Sequence, residues 1–401
     1  MQYTLTDITK SGLFCDGDWI EKKDQDINGT VRLIQLADIG ECAFKDKSCR
    51  YITEEKSKEL KCTYLHKGDI LIARLPEPLG RACIFPLSGK CITAVDIAIV
   101  RISDTKVNAK YIMYLINSSL FRKQIKEYES GTTRKRISRK NLAKITFNLP
   151  PLSEQERIVA HIEELFSELD AGVETLKKTK AQLDVYRQAV LKEAFEGEYN
   201  YVPLKNISTT ISGYAFKSKE YTPDGQYVIV KIGNVKQYHF DFSRDLTRTD
   251  EVNETILKKY LLQYGDCLIT LTGSRGKRDY GFVAMIDSQK NYLLNQRVAA
   301  LRFDTKIVLP EFYQYYLSSP EYRNTFFGYE TGNVGQGNVG IKALQEPMVI
   351  FPSIGEQRKI VENIESRLSV CDSIEQTIDA ALEQSKALRH SILKEAFEGK
   401  L

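Results

Sequence analysis

Leu191-Lys192-Glu193-Ala194-Phe195-Glu196-Gly197 occurs a second time, residue for residue, as Leu393-Lys394-Glu395-Ala396-Phe397-Glu398-Gly399. This seven-residue identity is the end of a longer one. Working back from it, Leu149–Gly197 aligns without gaps onto Phe351–Gly399, at an offset of 202 and with 19 identities in 49 positions. The far end of the block reads P-x-x-x-E-Q, at Pro150, Glu154 and Gln155 and again at Pro352, Glu356 and Gln357. Between the ends, Ile158, Val159, Ile162 and Glu163 match Ile360, Val361, Ile364 and Glu365. A period this long is not that of a solenoid, whose repeats run to about 20–50 residues. It is the mark of a duplicated domain with its spacer.

The stretches before each block repeat more weakly. Tyr128-Glu129-Ser130-Gly131 matches Tyr329-Glu330-Thr331-Gly332, and Lys67–Ile72 matches Tyr264–Ile269. Gln35–Ile39 resembles Lys231–Val235, so the offset drifts from 196 to 202, as small loop insertions would cause. The 401 residues therefore divide into a variable globular part at 1–148, a helical part at 149–199, and the same pair again at 200–350 and 351–401. Two copies in one chain imply a pseudo-two-fold molecule.

Ser153–Glu196 contains no Pro and one interior glycine, Gly172. Its apolar residues Ile158, Ile162, Leu165, Leu169, Val173 and Leu176 fall three or four apart, on one face of a helix. Copy two repeats the stripe with Ile360, Ile364, Leu368, Cys371, Ile374, Ile378 and Leu382. Pro150-Pro151 and Pro352 precede the helices, and Gly197 and Gly399 stand where C-terminal caps do. Each helix of about 44 residues spans roughly 65 Å. A stripe that long must be covered, and the other copy is the obvious cover, most simply in an antiparallel coiled-coil-like pair, with parallel packing the open alternative. The globular parts read as mixed α/β. Strands are expected at Val31–Leu36, Ile70–Ala73, Ile97–Ile102, Tyr227–Ile232, Cys267–Thr272 and Val298–Phe303. Helices are expected at Tyr111–Ile125 and at Glu311–Leu317, the latter limited by Pro320.

Composition sets outer bounds. Hydrophobic residues at 42% and charged residues at 27% describe a folded chain, not a disordered or collagenous one. No run of 18 apolar residues occurs, so no membrane span is expected. The opening Met1–Asp7 lacks the basic-then-apolar pattern of a signal peptide. Six of the eight cysteines lie in the first 91 residues and could be imagined as a disulfide set; without an export signal, reduced cytosolic thiols are the reading. No C-x-x-C pair occurs, and His66, His161, His239 and His390 fall at no zinc-ligand spacing. His161 and His390 are expected on helix surfaces, and Trp19 and most tyrosines in or near the core.

Catalytic signatures fail on inspection. Asn148-Leu149-Pro150-Pro151 has a Leu inserted after Asn and no aromatic after the prolines, and no glycine-rich cofactor loop opens a Rossmann unit. Pro223-Asp224 followed by Lys231 has Ile229 where a nuclease motif of that spacing needs an acid. Gly273-Ser274-Arg275-Gly276-Lys277-Arg278 lacks the spacing of a phosphate loop. No Ser-His-Asp or Cys-His set assembles, so no catalytic and no metal-binding residue is assigned.

Net charge is +4, from 57 basic and 53 acidic residues, so any electrostatic signal must be local. Arg134-Lys135-Arg136-Ile137-Ser138-Arg139-Lys140 places five cations in seven positions, in a loop expected to run into a helix. Such a loop could neutralise phosphates and read guanine, or be a solvated surface loop. The corresponding Thr331–Asn338 carries Asn333, Gln336 and Asn338, which could pair with adenine; the plain alternative is a glycine turn. Arg275, Lys277 and Arg278 follow one expected strand, and Arg74 and Arg81, across Pro76 and Pro78, follow its counterpart. Matched cationic loops favour DNA. Lys217 and Lys219 are weaker candidates, readable also as surface lysines.

A variable domain, then P-x-x-x-E-Q leading into a long helix that ends in L-K-E-A-F-E-G, all repeated once, resembles the specificity subunit of Type I restriction-modification systems. The resemblance covers the whole chain. Copy two departs from it slightly, with Ser353, Ile354 and Gly355 where copy one has Pro151, Leu152 and Ser153. It implies that 1–148 and 200–350 are target recognition domains, each reading one half of a split, asymmetric DNA target. The helices, the family's conserved regions, would set the spacing, with readers about one turn apart, roughly 34 Å. They would also dock two modification subunits and, in some systems, two restriction subunits. Glu154, Gln155, Ile158, Ile162, Leu165 and Leu169, with Glu356, Gln357, Ile360, Ile364 and Leu368, form the expected partner and helix interface. Acidic residues of the first helix (Glu163, Glu164, Glu168 and Asp170) are further docking candidates, or a solvated face. The chain itself would be non-catalytic and cytoplasmic. S-adenosylmethionine, ATP and magnesium would be bound by its partners. The alternatives are a subunit of a methylation-only or Type IIB-like system, a chain with its own nuclease or methyltransferase activity, and a coiled-coil scaffold.

Overall fold

A computed structural model describes residues 2–75, 78–243, 245–288, 290–333 and 335–400. Pro76 and Val334 lie outside them. Two compact units emerge, and their boundaries fall inside the long helices. Unit 1 comprises 1–177 with 379–401, and unit 2 comprises 178–378.

In unit 1, Ile70–Ala73 is buried on both faces at the centre of a four-stranded antiparallel sheet. Its order is Leu13–Asp16, Ile97–Arg101, Ile70–Ala73, Ala82–Ile84. Alternation along the central strands sorts the core. Ile70, Ile72, Ala98 and Val100 face helices Ala109–Asn117 and Ser119–Glu127 and the start of the long helix. Leu71, Ala73, Ile97 and Ile99 face Ile34, Phe85 and Cys91 on the other side. Each such fully buried aliphatic side chain contributes about 2 kcal/mol by removing its surface from water. A three-stranded sheet follows, Arg50–Ile52, Val31–Ile34, Cys91–Thr93, whose last pair is parallel. Gln2–Tyr3 pairs with Phe147–Asn148.

Unit 2 repeats every piece. Its four-stranded sheet runs Ser208–Ser212, Val298–Phe303, Cys267–Thr270, Val283–Met285. Its three-stranded sheet runs Arg248–Thr249, Tyr227–Val230, Tyr292–Leu294, again with a parallel last pair. Tyr201–Pro203 pairs with Met348–Ile350.

Two expected helices differ from the reading. Tyr111–Ile125 is two helices, because Ser118 leaves helical geometry at ψ 158 and caps the second one. Pro320 starts a helix, Pro320–Gly328, behind the cap Ser319. Proline suits the first turn, where its missing N–H has no partner to lose. The short helices Glu54–Glu59 and Glu254–Tyr260 were not anticipated.

The long helices are Leu152–Ala194 and Ile354–Phe397. Within unit 1, Ile162 and Phe166 share a core with Ile392, Leu393 and Ala396 of the second helix. Within unit 2, Lys180 pairs with Glu375, Arg187 with Asp372 and Arg367 with Glu193. Rising numbers on one helix meet falling numbers on the other, so the segments are antiparallel in this unit. Ile374, expected on the buried stripe, is 39% exposed. Gly399 takes the left-handed φ of +73 expected of a cap. Gly197 has no left-handed φ; a Cβ there would meet the Tyr199 ring at 2.8 Å, so close approach explains it.

Candidate nucleic-acid interface

Strands Leu13–Asp16 and Ile70–Ala73 both run antiparallel to Ile97–Arg101, so they deliver their C-terminal ends to one edge of the unit 1 sheet. Gly17 lets the chain turn there; a Cβ on it would lie 2.2 Å from the Ala94 carbonyl oxygen. Asp16 is the hub of this edge. It lies 3.3 Å from both Arg74 and Arg139. Residues 130–136 form a closed hairpin, Ser130 and Arg136 exchanging backbone bonds of 2.9 and 2.8 Å. Ile137 N–H donates to the Arg74 carbonyl at 3.3 Å, which ties hairpin to sheet. Ser138 then caps the short helix Arg139–Leu142, as the loop-into-helix reading expected.

The cations of this edge divide by role. Arg74 is largely buried, bonded to the Val95 carbonyl and beside Asp16. Arg81 donates to the carbonyls of Ile39 at 2.8 Å and Leu36 at 3.2 Å. Both therefore hold loops together within the protein. Arg139 rests over the Phe14 ring at 5.8 Å, and Lys135 pairs with Glu129 at 2.6 Å. Arg134, Arg136 and Lys140 are exposed and have no side-chain partner among the described residues. Trp19, expected near the core, is 70% exposed, its Nε1 at 3.4 Å from Glu21. Burial pushes the neighbouring Asp18 carboxyl up to about 6, against the opposing effect of the Thr63 N–H bond.

The matching edge of unit 2 is built differently. The amide-rich segment is the tip of a strand pair, with Asn333 and Gln336 in the connection. Glu330–Thr331 and Gly337–Val339 are strands, joined on the sheet side by Thr272–Gly273. Arg275 latches this hairpin by donating to the Gly332 carbonyl at 2.6 Å. Arg278 stacks over Phe327 at 5.3 Å and donates to Asn324 at 2.7 Å. Lys277 is exposed, as are Asn333, Gln336 and Asn338. Lys217 and Lys219 are exposed at the short turn Ser218–Glu220, the counterpart of Lys22–Asp24 in unit 1.

An open cleft of about 460 Å³ in unit 2 is lined by Ser212, Thr272, Gln336 and Asn338 and by two residues that sequence reasoning passed over, Gln296 and Arg297. Their signal was present. Asn295-Gln296-Arg297 is a polar triplet where the repeat has Ala94-Val95-Asp96.

On the helices, several expected interface residues prove to be internal. Gln155 and Gln357 are fully buried. Gln155 accepts from Asn108 N–H at 2.8 Å and donates to the carbonyls of Lys106 and Pro150. Gln357 repeats all three bonds with Leu309, Ile307 and Pro352. These glutamines pin each long helix to its own domain and cannot touch a partner. Ile162 and Ile364 are fully buried; Ile158, Leu165 and Leu169, and Ile360 and Leu368, are partly buried against the same cores. Glu154 pairs with Arg157, and Glu356 accepts from Ser353 as a helix cap. Glu163 pairs with Lys110 and Asp170 with Arg389, while Glu164 lies 3.4 Å from His161 and Glu168 is exposed. The exposed large apolar residues of these helices are instead Val185, Tyr186, Ile354, Val370, Ile374 and Leu388.

Among the described residues no group of His, Cys, Asp or Glu is placed to hold a metal ion, and no helix is long and apolar enough to cross a membrane. All eight cysteines are free.

The Type I restriction modification DNA specificity domain matches residues 1–183 and 196–384, and the chain belongs to that family. It is 27% identical over 308 residues to the Type I restriction enzyme EcoKI specificity subunit of Escherichia coli K12, covering 73% of this chain and 65% of that one. It is 25% identical over 330 residues to the EcoBI specificity subunit of Escherichia coli, covering 75% and 68%. The chain thus spans about two thirds of the length of these curated relatives. Two solved structures share the fold. A chain from the work on complex assembly and conformational transition of the type I R-M system superposes with a TM-score of 0.73 at 18% identity, covering 100% of this chain and 98% of that one. The HsdS subunit from Thermoanaerobacter tengcongensis gives 0.55 at 17% identity, covering 100% and 97%.

Proposed function

We propose that this chain is the non-catalytic specificity subunit of a Type I restriction-modification complex. Each unit reads one half of a bipartite, asymmetric double-stranded DNA target. The observation that carries this reading is the pair of equivalent sheet edges with unlike unpartnered side chains. Arg134, Arg136 and Lys140 stand free on one, and Gln296, Arg297 and Gln336 on the other. The same scaffold with cations at one edge and a guanidinium among amides at the other engages its two half-sites differently, as an asymmetric target requires. In unit 1 phosphate contact falls to Arg134, Arg136 and Lys140, and Arg74 and Arg81 position the loops around them.

The partners are two modification subunits, which bring S-adenosylmethionine, and restriction subunits, which bring ATP and magnesium. Val185, Tyr186, Val370 and Ile374 give the helices of unit 2 exposed apolar surface on which a partner would dock. Activity on chromosomal DNA places the complex in the cytoplasm. The test is a genome-wide map of methylated adenine in the native host with and without this gene. Loss of one bipartite methylated motif is the expected result. An unchanged map overturns the reading.

A further inference from the structure

Asn295-Gln296-Arg297 connects strand Tyr292–Leu294 to strand Val298–Phe303 in unit 2. Arg297 sits at φ +72, a left-handed region that L side chains rarely adopt. Its surroundings enforce this. Leu271 N–H donates to the Arg297 carbonyl at 2.9 Å, and Gln296 N–H donates to the Tyr214 carbonyl at 2.8 Å. Val298 N–H closes the turn on Asn295 at 3.3 Å. The turn is thus fixed on both sides, and Gln296 and Arg297 line the cleft whose other wall carries Gln336 and Asn338. Strained backbone held by its neighbours at an exposed charged residue points to a use for that side chain.

The chemistry of the cleft is specific. Its lining holds one guanidinium and three side-chain amides and no carboxylate. Gln296, Arg297 and Gln336 have no side-chain partner among the described residues. Thr272 Oγ1 donates to Asn338 Oδ1 at 3.1 Å, which orients that amide and leaves its nitrogen to donate outward. A phosphate site would gather cations. A guanidinium fork among amides that both donate and accept matches base edges instead. Unit 1 differs at the same place. It has Val95-Asp96, no left-handed residue there, and Arg74 tucked onto the Val95 carbonyl.

We propose that the Arg297 turn is the base-reading element of unit 2. Arg297 takes the O6/N7 edge of a guanine, and Gln296, with Gln336 and Asn338 opposite, takes the N6/N7 edge of a neighbouring adenine. This rests on the reading that the chain selects a DNA target.

The test replaces Arg297 on the chromosome of the native host. Arg297→Gly is the informative variant, because glycine adopts positive φ freely and the fold is kept or stabilised. Adenine-methylation mapping should show one half-site degenerate at a single base pair, with the other half-site and the spacing unchanged. On purified full chain, duplexes varied at that base pair should lose about tenfold or more of their discrimination. Gln296→Ala should relax an adjacent base pair instead. An unaltered motif in the Arg297→Gly strain overturns the proposal. So does uniformly weaker binding with a shallower salt dependence, which is the behaviour of a phosphate contact. If deleting the whole gene leaves the methylation map unchanged, the DNA-targeting reading falls too. An unaltered motif in the variant, with a deletion that does erase methylation, removes only the role of Arg297.

Discussion

Arg187 Nη2 stands 2.6 Å from Asp372 Oδ1 in unit 2, and their repeat counterparts, Arg389 and Asp170, pair with each other in unit 1. Two of the identities that survive in the middle of the repeated helices are therefore the two ends of one ion pair, made twice. Arg187 also lies 2.8 Å from Glu375. Arg187→Glu would set three carboxylates together and should cost about 1 kcal/mol, the scale of a partly exposed pair turned repulsive. Adding Asp372→Arg should restore part of it. Urea unfolding of the four species of this cycle measures the coupling. An unchanged midpoint in the single variant would refute the pairing.

The buried glutamines should matter more than the ion pairs. Removing Gln155 strands the Asn108 N–H, which it meets at 2.8 Å, together with two carbonyls. Leaving such buried groups unpaired costs about 2–3 kcal/mol. Gln155→Leu and Gln357→Leu should each lower thermal stability clearly, while Glu154→Ala, at an exposed pair, should change little. Differential scanning calorimetry decides, and equal effects at the two neighbouring positions would refute the latch.

Much of this architecture was legible because duplication prints the same physics twice. The short apolar, β-branched runs of Ile70–Ala73 and Val298–Phe303 marked strands whose bounds the structure reproduces. The Glu-Gln pair marked a boundary, yet its chemistry was hidden. Nothing in a helical stripe tells that Gln155 turns inward to carbonyls 49 residues earlier, such as that of Lys106. Charge runs were legible as runs only. Arg74, Arg81 and Arg278 look like Arg136 in sequence, and only three-dimensional neighbours distinguish a guanidinium that is bonded internally from one that is free. Arg297 escaped notice because its strain is a property of φ, not of composition.

Asp18 gives a pH signature. Burial raises its carboxyl to about 6 from an ordinary 3.8. The native state thus favours the protonated form. Stability associated with it is fully present below about pH 4 and is lost as pH rises through 6. Asp18→Asn keeps the acceptor for Thr63 N–H without the buried charge. It should stabilise unit 1 at pH 7.5 by about 1 kcal/mol, after discounting for the water that still reaches this half-buried group. The gain should vanish near pH 4. A gain independent of pH would show that desolvation of the charge is not its cause.

The free cations of unit 1 make the sharpest contrast with the bound ones. Arg134, Arg136 and Lys140 are exposed without described partners, whereas Arg81 is bonded to two carbonyls. If the three neutralise phosphates, each Ala replacement should weaken DNA binding and reduce the slope of log affinity against log salt by about one. The triple variant should keep its thermal stability and its sequence preference, because phosphate contacts carry no sequence information. Arg81→Ala should do the reverse, lowering stability first and binding only as a consequence. Salt titrations of binding to a duplex bearing the methylated motif separate the cases. A triple variant with the wild-type salt slope would remove this loop from the interface, whatever its charge.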